Sequence, residues 1–500
     1  MADRTGVLAD AGYRHLSPRE AARRLLGHVG VYGAGNALQR LGAFILLPLY
    51  IARLSPEEYG LLALVSLLPF VLPAVLSLGL PNAITRYYHE WRREGIAPGN
   101  LGAVWAIVTA STLLVTVLLD RFAELLLTRF LTQAAFDPYL RLGLWWAFFA
   151  SLALCPVTLL RIREQSRAFI AVSVVSFFLG VGLTAWAVLS DRGVVGVLWM
   201  QVIASAVTGV ALTAWYLSHV ALRVHTDSVT RSLRFALPLV PSALLDAVAG
   251  RADRFFLDKW ASLPEIGLYA LANQFGQAVK FFYDSVKPAW FPFYIRVAGE
   301  RADAREFLGR IVTFYLAALG FVALAVLLFA PDVIRWAGQE ERYLAAVPLL
   351  PILVLCYVVQ GLAPIGSAAV IVSERTWWQP LVQTVQVAVV IVANIVLTSR
   401  FGVFGAAWSL LLSYGVLVGL TLVVAQIVYP VKLEWMKLAL LALGLALAGG
   451  GAVWSTATLP VQLLLLASYG LLAVLIAFRG RMLDGMLSLA KPEPAEKPHV

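Results

Sequence analysis

Apolar runs of about 20 residues recur along the whole chain, and short polar segments separate them. Each run can cross a hydrocarbon core about 30 Å thick as an α-helix, and the alternating pattern of barrel strands is absent. About 14 such runs can be counted, which predicts an all-α, polytopic membrane protein. The runs used below are Gly27–Leu54, Phe235–Trp260, Pro264–Tyr294, Trp378–Leu397 and Phe404–Val428.

Two short motifs occur twice at nearly the same spacing. PEEYGLLAL at Pro56–Leu64 resembles PEIGLYAL at Pro264–Leu271, and RGVVGVLW at Arg192–Trp199 resembles FGVFGAAW at Phe401–Trp408. Both pairs are about 208 residues apart, as expected for a duplicated unit of six helices. The acids in the first pair have the spacing of helix caps, so a structural role is expected for them.

The repeat and the spans together predict how the chain is organised. Two pseudo-symmetric six-helix lobes are expected at 27–222 and 231–429, with helices 13 and 14 in 430–480. An amphipathic segment at 1–26 and a tail at 481–500 flank them. Because Lys and Arg concentrate on the side of the termini, both termini are expected in the cytoplasm. Topology therefore accounts for most of the net charge of +10, and nucleic acid is not needed as a partner.

The seventh run carries charges that a bilayer disfavours. Asp246, Arg251, Asp253, Arg254 and Asp258 lie within it, and each charge at the bilayer centre costs about 2.5–3.5 kcal/mol. On an uninterrupted helix these residues fall within an arc of about 160°. They should therefore face protein or water, and the last two have the spacing of an ion pair.

The eighth run concentrates its polar residues on one narrow face. Asn273, Gln277, Lys280, Asp284 and Lys287 are spaced 4-3-4-3 and fall within about 40° of one line along a helix. This stripe should point into the protein. Asp284 has the right spacing to pair with either lysine.

The first run adds a third polar group, Asn36, Gln39 and Arg40. If the first and seventh runs correspond, as the repeat implies, both face one cavity between the lobes. The ionisable residues of the three runs taken together, Arg40, Asp246, Arg251, Asp253, Arg254, Lys280, Asp284 and Lys287, favour positive charge, which suits an anionic ligand. Structural ion pairs that fix the helices are the competing interpretation, especially for Arg254–Asp258 and Lys280–Asp284.

Longer stretches of the chain resemble one family of transporters. These stretches are LSPEEYGLLALVS (Leu54–Ser66), LGLPNAITRYYHE (Leu78–Glu90), LPLVPSALLDAVAGRADRFFLDKWASLPEIGLYALANQF (Leu237–Phe275) and KPAWFPFY (Lys287–Tyr294). They resemble bacterial polysaccharide transporters, the O-antigen and exopolysaccharide flippases of the multidrug/oligosaccharidyl-lipid/polysaccharide exporter superfamily. The resemblance implies two lobes forming a V-shaped cavity and alternating access in the bacterial inner membrane.

The resemblance also implies a substrate, an oligosaccharide on a polyprenyl diphosphate carrier, and roles for residues. Residues expected to contact the substrate are Arg40, Asn36, Gln39, Arg251, Arg254, Gln277, Lys280 and Lys287. Asp246, Asp253 and Asp284 are the candidates for coupling to H⁺ or Na⁺. Glycosyltransferases and a polymerase of the same pathway are expected partners, and no cofactor or bound metal is expected.

Three other functions fit the sequence less well. An ion-coupled exporter of cationic drugs should have an acidic or aromatic pocket, which the basic excess disfavours. A lipid II flippase should have an arginine-rich opening to the first helix, which is not seen here. A membrane enzyme, such as a polymerase or ligase, needs a positioned acid or base, and none of the six histidines pairs with a mid-span acid. We therefore expect a transport protein and not an enzyme.

Overall fold

Helices make up the regular structure of the chain. The computed structural model describes residues 42–126, 131–221, 226–301, 303–337, 340–373, 375, 377–454 and 458–478. Within these ranges every regular element is helical and no strand occurs, which confirms the predicted all-α class. In the same ranges nine helices are long and apolar enough to cross a membrane, or ten if Thr226–Leu245 and Ala249–Trp260 form one broken span. The predicted total of 14 spans is not confirmed.

The helices are numbered here in chain order. The first ten are α1 (Gly42–Arg53), α2 (Pro56–Val65), α3 (Leu67–Leu76), α4 (Leu80–Arg93), α5 (Ala97–Leu126), α6 (Arg141–Leu152), α7 (Leu154–Ile162), α8 (Ser166–Leu189), α9 (Gly193–Leu217) and α10 (Thr226–Ala236). The remaining ten are α11 (Val240–Trp260), α12 (Leu263–Glu300), α13 (Ala304–Trp336), α14 (Glu340–Tyr343), α15 (Leu350–Gln360), α16 (Ala363–Val372), α17 (Trp378–Ala393), α18 (Ser399–Val428), α19 (Trp435–Trp454) and α20 (Leu459–Phe478).

Contacts divide the chain into two units. The first contains the chain through Arg53 together with Val65–Ala247, and the second contains Leu54–Leu64 together with everything from Val248 onward. The lobe boundaries expected from the sequence, at 222 and 231, stay a prediction. The N-terminal segment 1–26 and the tail 481–500 lie outside the described residues.

The first unit is built around helix α6, which packs against α3, α5 and α9. A second core joins α4, α5, α7 and α10 through large apolar side chains such as Ile84 and Trp91. Gly79, the N-cap residue of α4, has a left-handed backbone conformation (φ 66°). A Cβ there would lie 2.7 Å from the carbonyl oxygen of Ala236. Glycine is therefore required for this close approach.

The second unit is built around the long helix α12, which packs against α13, α15 and α16. Helix α18 contacts α15, α16 and α17, while α19 and α20 pack on α13. The apolar stretch Trp378–Val428 is broken at Gly402, where φ is 53° and ψ is −131°. Because α17 and α18 also pack on each other, the stretch is two helices, at the positions predicted for the eleventh and twelfth runs.

The two repeated motifs at Pro56 and Pro264 have the same cap geometry. The backbone N–H of Ser55 donates to Oε2 of Glu58 at 2.9 Å, and the backbone N–H of Glu58 donates to Oγ of Ser55 at 3.2 Å. Ser262 and Glu265 form the equivalent capping box, with the Ser262 N–H donating to Oε2 of Glu265 at 2.8 Å. The structural role expected for these acids is confirmed.

Within the second unit, the starts of α2 and α12 cross backbone to backbone at two glycines. A Cβ on Gly60 would lie 2.9 Å from the backbone nitrogen of Gly267, and it would overlap the carbonyl oxygen of Leu263. A Cβ on Gly267 would lie 3.0 Å from the backbone nitrogen of Gly60, and it would overlap the carbonyl oxygen of Pro56. The contact is reciprocal, and both partners come from the repeated motifs.

The two cysteines of the sequence are core residues. Cys155 in α7 and Cys356 in α15 are both buried free thiols. Their position in apolar spans predicts this packing role, and the structure confirms it.

Candidate functional site

Part of the predicted site cannot be placed. Asn36, Gln39 and Arg40 lie outside the described residues. The backbone of Asp246 belongs to α11, and its side chain lies outside the described part of the structure. The roles expected for these four residues stay predictions.

Three charged residues of α11 are buried in the second unit and a fourth is partly buried. Asp253, Arg254 and Asp258 are 4%, 9% and 2% exposed, while Arg251 is half-buried. The backbone leaves helical geometry at Arg251 (φ −148°, ψ 16°), so the directions calculated for an uninterrupted helix do not apply across it. Burial in protein is the outcome expected for charges that a bilayer disfavours.

Specific hydrogen bonds accompany this burial. The hydroxyl of Tyr269 on α12 donates to Oδ2 of Asp253 at 2.6 Å, and this tyrosine is fully buried. Nη1 of Arg254 donates to the carbonyl oxygen of Ala63 in α2 at 3.2 Å. Buried charges require such partners, because an unsatisfied charged group in the interior is destabilising by several kcal/mol. The predicted Arg254–Asp258 pair stays a prediction.

A second hydrogen bond joins α12 to α15. The hydroxyl of Tyr357 donates to Oδ1 of Asn273 at 2.8 Å, and both residues are buried. Tyr357 reaches this position because Gly276 lacks a side chain, since a Cβ there would lie 2.7 Å from the tyrosine ring. The predicted polar stripe of α12 therefore begins inside the second unit, as its spacing indicates.

Further along α12, Lys280 and Asp284 form the ion pair that the sequence predicts. Nζ of Lys280 lies 3.2 Å from Oδ2 of Asp284, with the two side chains 34% and 17% exposed. The same Nζ donates to the hydroxyl of Tyr283 at 3.1 Å, and that hydroxyl donates to Oε1 of Gln360. Gln277, one turn earlier, donates to Oε1 of Gln274 at 3.4 Å. The stripe is thus a polar line along one face of α12, with its hydrogen bonds and ion pair formed in separate groups.

Lys287 ends this line in a different environment. Its side chain is exposed, and within the described ranges it has no ion-pair partner. It lines a small groove with Tyr283, Val286, Trp290, Tyr315, Pro364 and Ile365. The groove is formed by α12, α13 and α16 of the second unit.

The aromatic partners of the polar residues were not predicted from the sequence. The hydroxyl of Tyr269 bonds Asp253 of α11, whereas those of Tyr283 and Tyr357 bond residues of the polar line on α12. Trp290 and Tyr315 form the groove wall. A weak signal was available, because a tyrosine in an apolar span needs a partner for its hydroxyl. The groove itself carries no sequence signal, since its residues come from three separate helices.

No metal centre can be built from the residues in the described ranges, because they contain no group of three or more His, Cys, Asp or Glu side chains placed to hold an ion. Lone carboxylates with tyrosine or lysine partners remain. The described residues of the site offer hydrogen-bonding groups and charges.

The fold resembles those of solved membrane transport proteins. The lipid II flippase MurJ, in an inward closed conformation, matches with a TM-score of 0.71 over 91% of this chain and 99% of that chain, at 14% identity. An inward-facing multidrug resistance MATE family transporter of the MOP superfamily matches with a TM-score of 0.56 over 78% and 94%, at 15% identity. The MATE multidrug transporter DinF-BH, in complex with R6G, matches with a TM-score of 0.55 over 84% and 99%, at 15% identity. At these identities the likeness defines the class of fold, a polytopic helical protein of the MurJ and MATE type.

Sequence comparison places the chain in a family. It belongs to the polysaccharide biosynthesis protein family, whose pattern matches residues 50–337, more than half of the chain. Protein 1 of the Lsg locus of Haemophilus influenzae is 22% identical over 319 residues, covering 61% of this chain and 75% of that protein. The resemblance inferred from the quoted stretches is confirmed at the level of this family.

Proposed function

We propose that the chain is a flippase for a polyprenyl-diphosphate-linked oligosaccharide, an O-antigen or exopolysaccharide repeat unit. It moves this lipid from the cytoplasmic to the periplasmic leaflet of the bacterial inner membrane by alternating access, with both termini cytoplasmic. Membership of the polysaccharide biosynthesis family and the MurJ-type fold support this proposal. Glycosyltransferases and a polymerase of the same pathway are the expected partners.

The observation that carries the proposal is the polar line on α12. Lys280 is only partly buried and is held by Asp284 and Tyr283 on the polar line of α12. A charge at the centre of a bilayer costs about 2.5–3.5 kcal/mol to insert, so charged residues within a membrane-spanning helix are retained mainly for function. A lysine beside water or ligand can donate hydrogen bonds to phosphate oxygens.

The residues divide into two roles in this proposal. Those that contact the diphosphate or the sugars are Arg40, Asn36, Gln39, Arg251, Arg254, Gln277, Lys280 and Lys287. Coupling to H⁺ or Na⁺ falls to Asp246, Asp253 and Asp284. Asp253 is the strongest of these three because its carboxylate is buried and bonded to the Tyr269 hydroxyl, so gain or loss of a cation there would change the packing of α11 on α12.

The proposal can be tested in vesicles that contain the purified protein. The probe is a polyprenyl diphosphate oligosaccharide with a fluorophore on the sugar, and dithionite quenches only the molecules in the outer leaflet. The native protein should make nearly all of the probe quenchable, whereas empty vesicles leave about half protected. Lys280→Ala should slow this by about 10- to 100-fold, because a hydrogen bond to a charged group contributes about 1.5–3 kcal/mol.

Control variants separate binding from structure. Lys259→Ala removes an exposed lysine that lies against the Trp260 ring on α11, so flipping should not change. If Lys280 serves only to pair with Asp284, Lys280→Ala should lower the melting temperature and leave equilibrium binding of the lipid probe unchanged. If Lys280 binds the substrate, the same variant should weaken binding of the probe by about 10- to 100-fold.

A cellular assay covers Arg40, which lies outside the described residues. Arg40→Ala and Lys280→Ala should each reduce cell-surface polysaccharide while the protein level in the membrane stays normal. Normal export from both variants would remove these side chains from the mechanism. In the vesicle assay, the protein could transport a cationic dye or lipid II and fail to transport the oligosaccharide lipid. That outcome would show that the proposed substrate is wrong.

A further inference from the structure

The hydroxyl of Tyr283 joins Lys280 on α12 to the end of α15. It accepts a hydrogen bond from Nζ of Lys280 at 3.1 Å and donates one to Oε1 of Gln360, the last residue of α15. An ammonium can only donate, and a phenol has a single proton. Because a lone pair of Tyr283 faces Lys280, its proton is left for the oxygen of Gln360. The three groups therefore form one chain with a fixed direction of donation.

Tyr283 is a rigid part of this chain. Its side chain is 4% exposed and packs in a core with Val279, Leu319 and Val354. The side chain of Lys280 is 34% exposed, and its ammonium ends a flexible stem of four carbons. The packed tyrosine therefore fixes where the ammonium of a mobile side chain lies. Holding it in place reduces the conformational entropy that is lost when a ligand binds.

A second tyrosine reaches the same turn of α15. The hydroxyl of Tyr315 on α13 donates to the carbonyl oxygen of Gly361 at 2.8 Å, one residue after Gln360. Two tyrosine hydroxyls, one from α12 and one from α13, thus hold the end of α15. Tyr283 continues to the ammonium of Lys280, whereas Tyr315 bonds a backbone carbonyl. The two tyrosines allow a comparison between a hydrogen bond that reaches Lys280 and one that secures the turn.

We propose that Tyr283 and Gln360 are positioning residues, which place the ammonium of Lys280 and tie it to the turn between α15 and α16. A movement of that turn shifts the ammonium along the polar line of α12. Both residues act through Lys280, so neither has to touch a ligand. The use of Lys280 in transport rests on the proposed function, whereas the placement of its nitrogen does not.

Acetylation of lysine tests this placement without any substrate. The full chain in detergent is treated briefly with acetic anhydride, and mass spectrometry compares the rate at Lys280 with that at exposed Lys259 of the same molecule. Tyr283→Phe keeps the ring whose centroid lies 5.0 Å from Nζ of Lys280, and it removes the hydroxyl alone. This variant should raise the relative rate at Lys280 about tenfold, because an amine that has lost one acceptor attacks the reagent more readily.

Three further variants separate positioning from stability. Gln360→Leu removes the acceptor of Tyr283 and should also raise the rate at Lys280, whereas Gln360→Glu keeps an oxygen there and should restore the native rate. Tyr315→Phe should lower the melting temperature about as much as Tyr283→Phe does and leave the rate unchanged. A native rate in Tyr283→Phe or in Gln360→Leu would overturn the proposal. So would an equal rise in Tyr315→Phe, or the same rise in Gln360→Glu as in Gln360→Leu.

The vesicle assay tests whether Tyr283 acts through Lys280. Tyr283→Phe should slow flipping up to about tenfold in the native background and cause no further loss in Lys280→Ala. Equal losses in both backgrounds would assign Tyr283 a structural role and overturn the proposal. If the acetylation rates change as expected in a protein that does not flip the oligosaccharide lipid, the proposed function alone is refuted. If the native protein flips the lipid and Tyr283→Phe leaves acetylation unchanged, the positioning proposal alone is refuted.

Discussion

Replacing Gly267 by alanine should force apart the starts of α2 and α12. The added Cβ would overlap the carbonyl oxygen of Pro56 and would lie 2.8 Å from its carbonyl carbon and 3.0 Å from the nitrogen of Gly60. All of these are backbone atoms, so no side-chain rotation can relieve the overlap. The helices themselves must shift.

The size of the effect follows from these distances. Moving the carbonyl carbon from 2.8 Å to an ordinary contact of 3.4 Å requires a displacement of about 0.6 Å, and the overlapping carbonyl oxygen must move further. Overpacking typically costs about 1–3 kcal/mol, and an overlap with backbone belongs at the upper end of that range. Alanine recovers about 0.5–1 kcal/mol through its better helix propensity. We therefore expect a net loss of about 2 kcal/mol.

Thermal unfolding of the detergent-solubilised protein, followed by tryptophan fluorescence, measures this loss as a lower melting temperature. Gly419→Ala is the matched control, because a Cβ at that position of α18 meets nothing within 4 Å. It should leave the melting temperature unchanged or raise it slightly. Gly60→Ala should behave like Gly267→Ala, since the contact is reciprocal.

An unchanged melting temperature in both Gly60→Ala and Gly267→Ala would show that α2 and α12 do not cross at these glycines. Equal losses in Gly419→Ala would assign the effect to alanine itself and would also refute the reasoning.

Two further predictions concern hydrogen-bonded groups. Tyr269→Phe removes the donor to the buried carboxylate of Asp253 and should lower the free energy of unfolding by about 1–3 kcal/mol. Tyr216→Phe loses a hydrogen bond to the neutral carbonyl of Leu101 and should lower it by about 0.5–1.5 kcal/mol. Equal losses in chemical denaturation would contradict a stronger hydrogen bond to the charged partner. The hydrogen bond from Arg301 lowers the pKa of Asp303, which lies between α12 and α13. This hydrogen bond therefore stabilises the folded protein above the unfolded-state pKa of Asp303, and the stabilisation is lost as the pH falls through the folded-state pKa. The melting temperature of Asp303→Asn should therefore fall less than that of the native protein between about pH 6 and about pH 3, and an identical fall would contradict this account.

The polar stripe of α12 could be predicted because helix geometry fixes it. Asn273 and Lys280 are neighbours on one face whatever surrounds the helix, and hydropathy requires that face to point away from lipid. The same local geometry allowed Asp284 to pair with either Lys280 or Lys287, and the structure has the pair with Lys280.

The environment of α11 could not be predicted in the same way. The departure from helical backbone at Arg251 changes where Asp253 and Arg254 point. Gly250 precedes it, but a single glycine within a helical pattern does not by itself predict a break. The partners Tyr269 and Ala63 come from other helices. Their positions depend on tertiary packing, which hydropathy does not encode.

The buried thiols have a practical consequence for work on this protein. Cys155 and Cys356 are the only cysteines of the sequence, and both are shielded from water-soluble reagents. A maleimide should therefore label an introduced cysteine at an exposed position over a low background, without prior removal of the native ones. Single-cysteine labelling from either side of the membrane can then map the orientation of each loop on an otherwise unaltered chain.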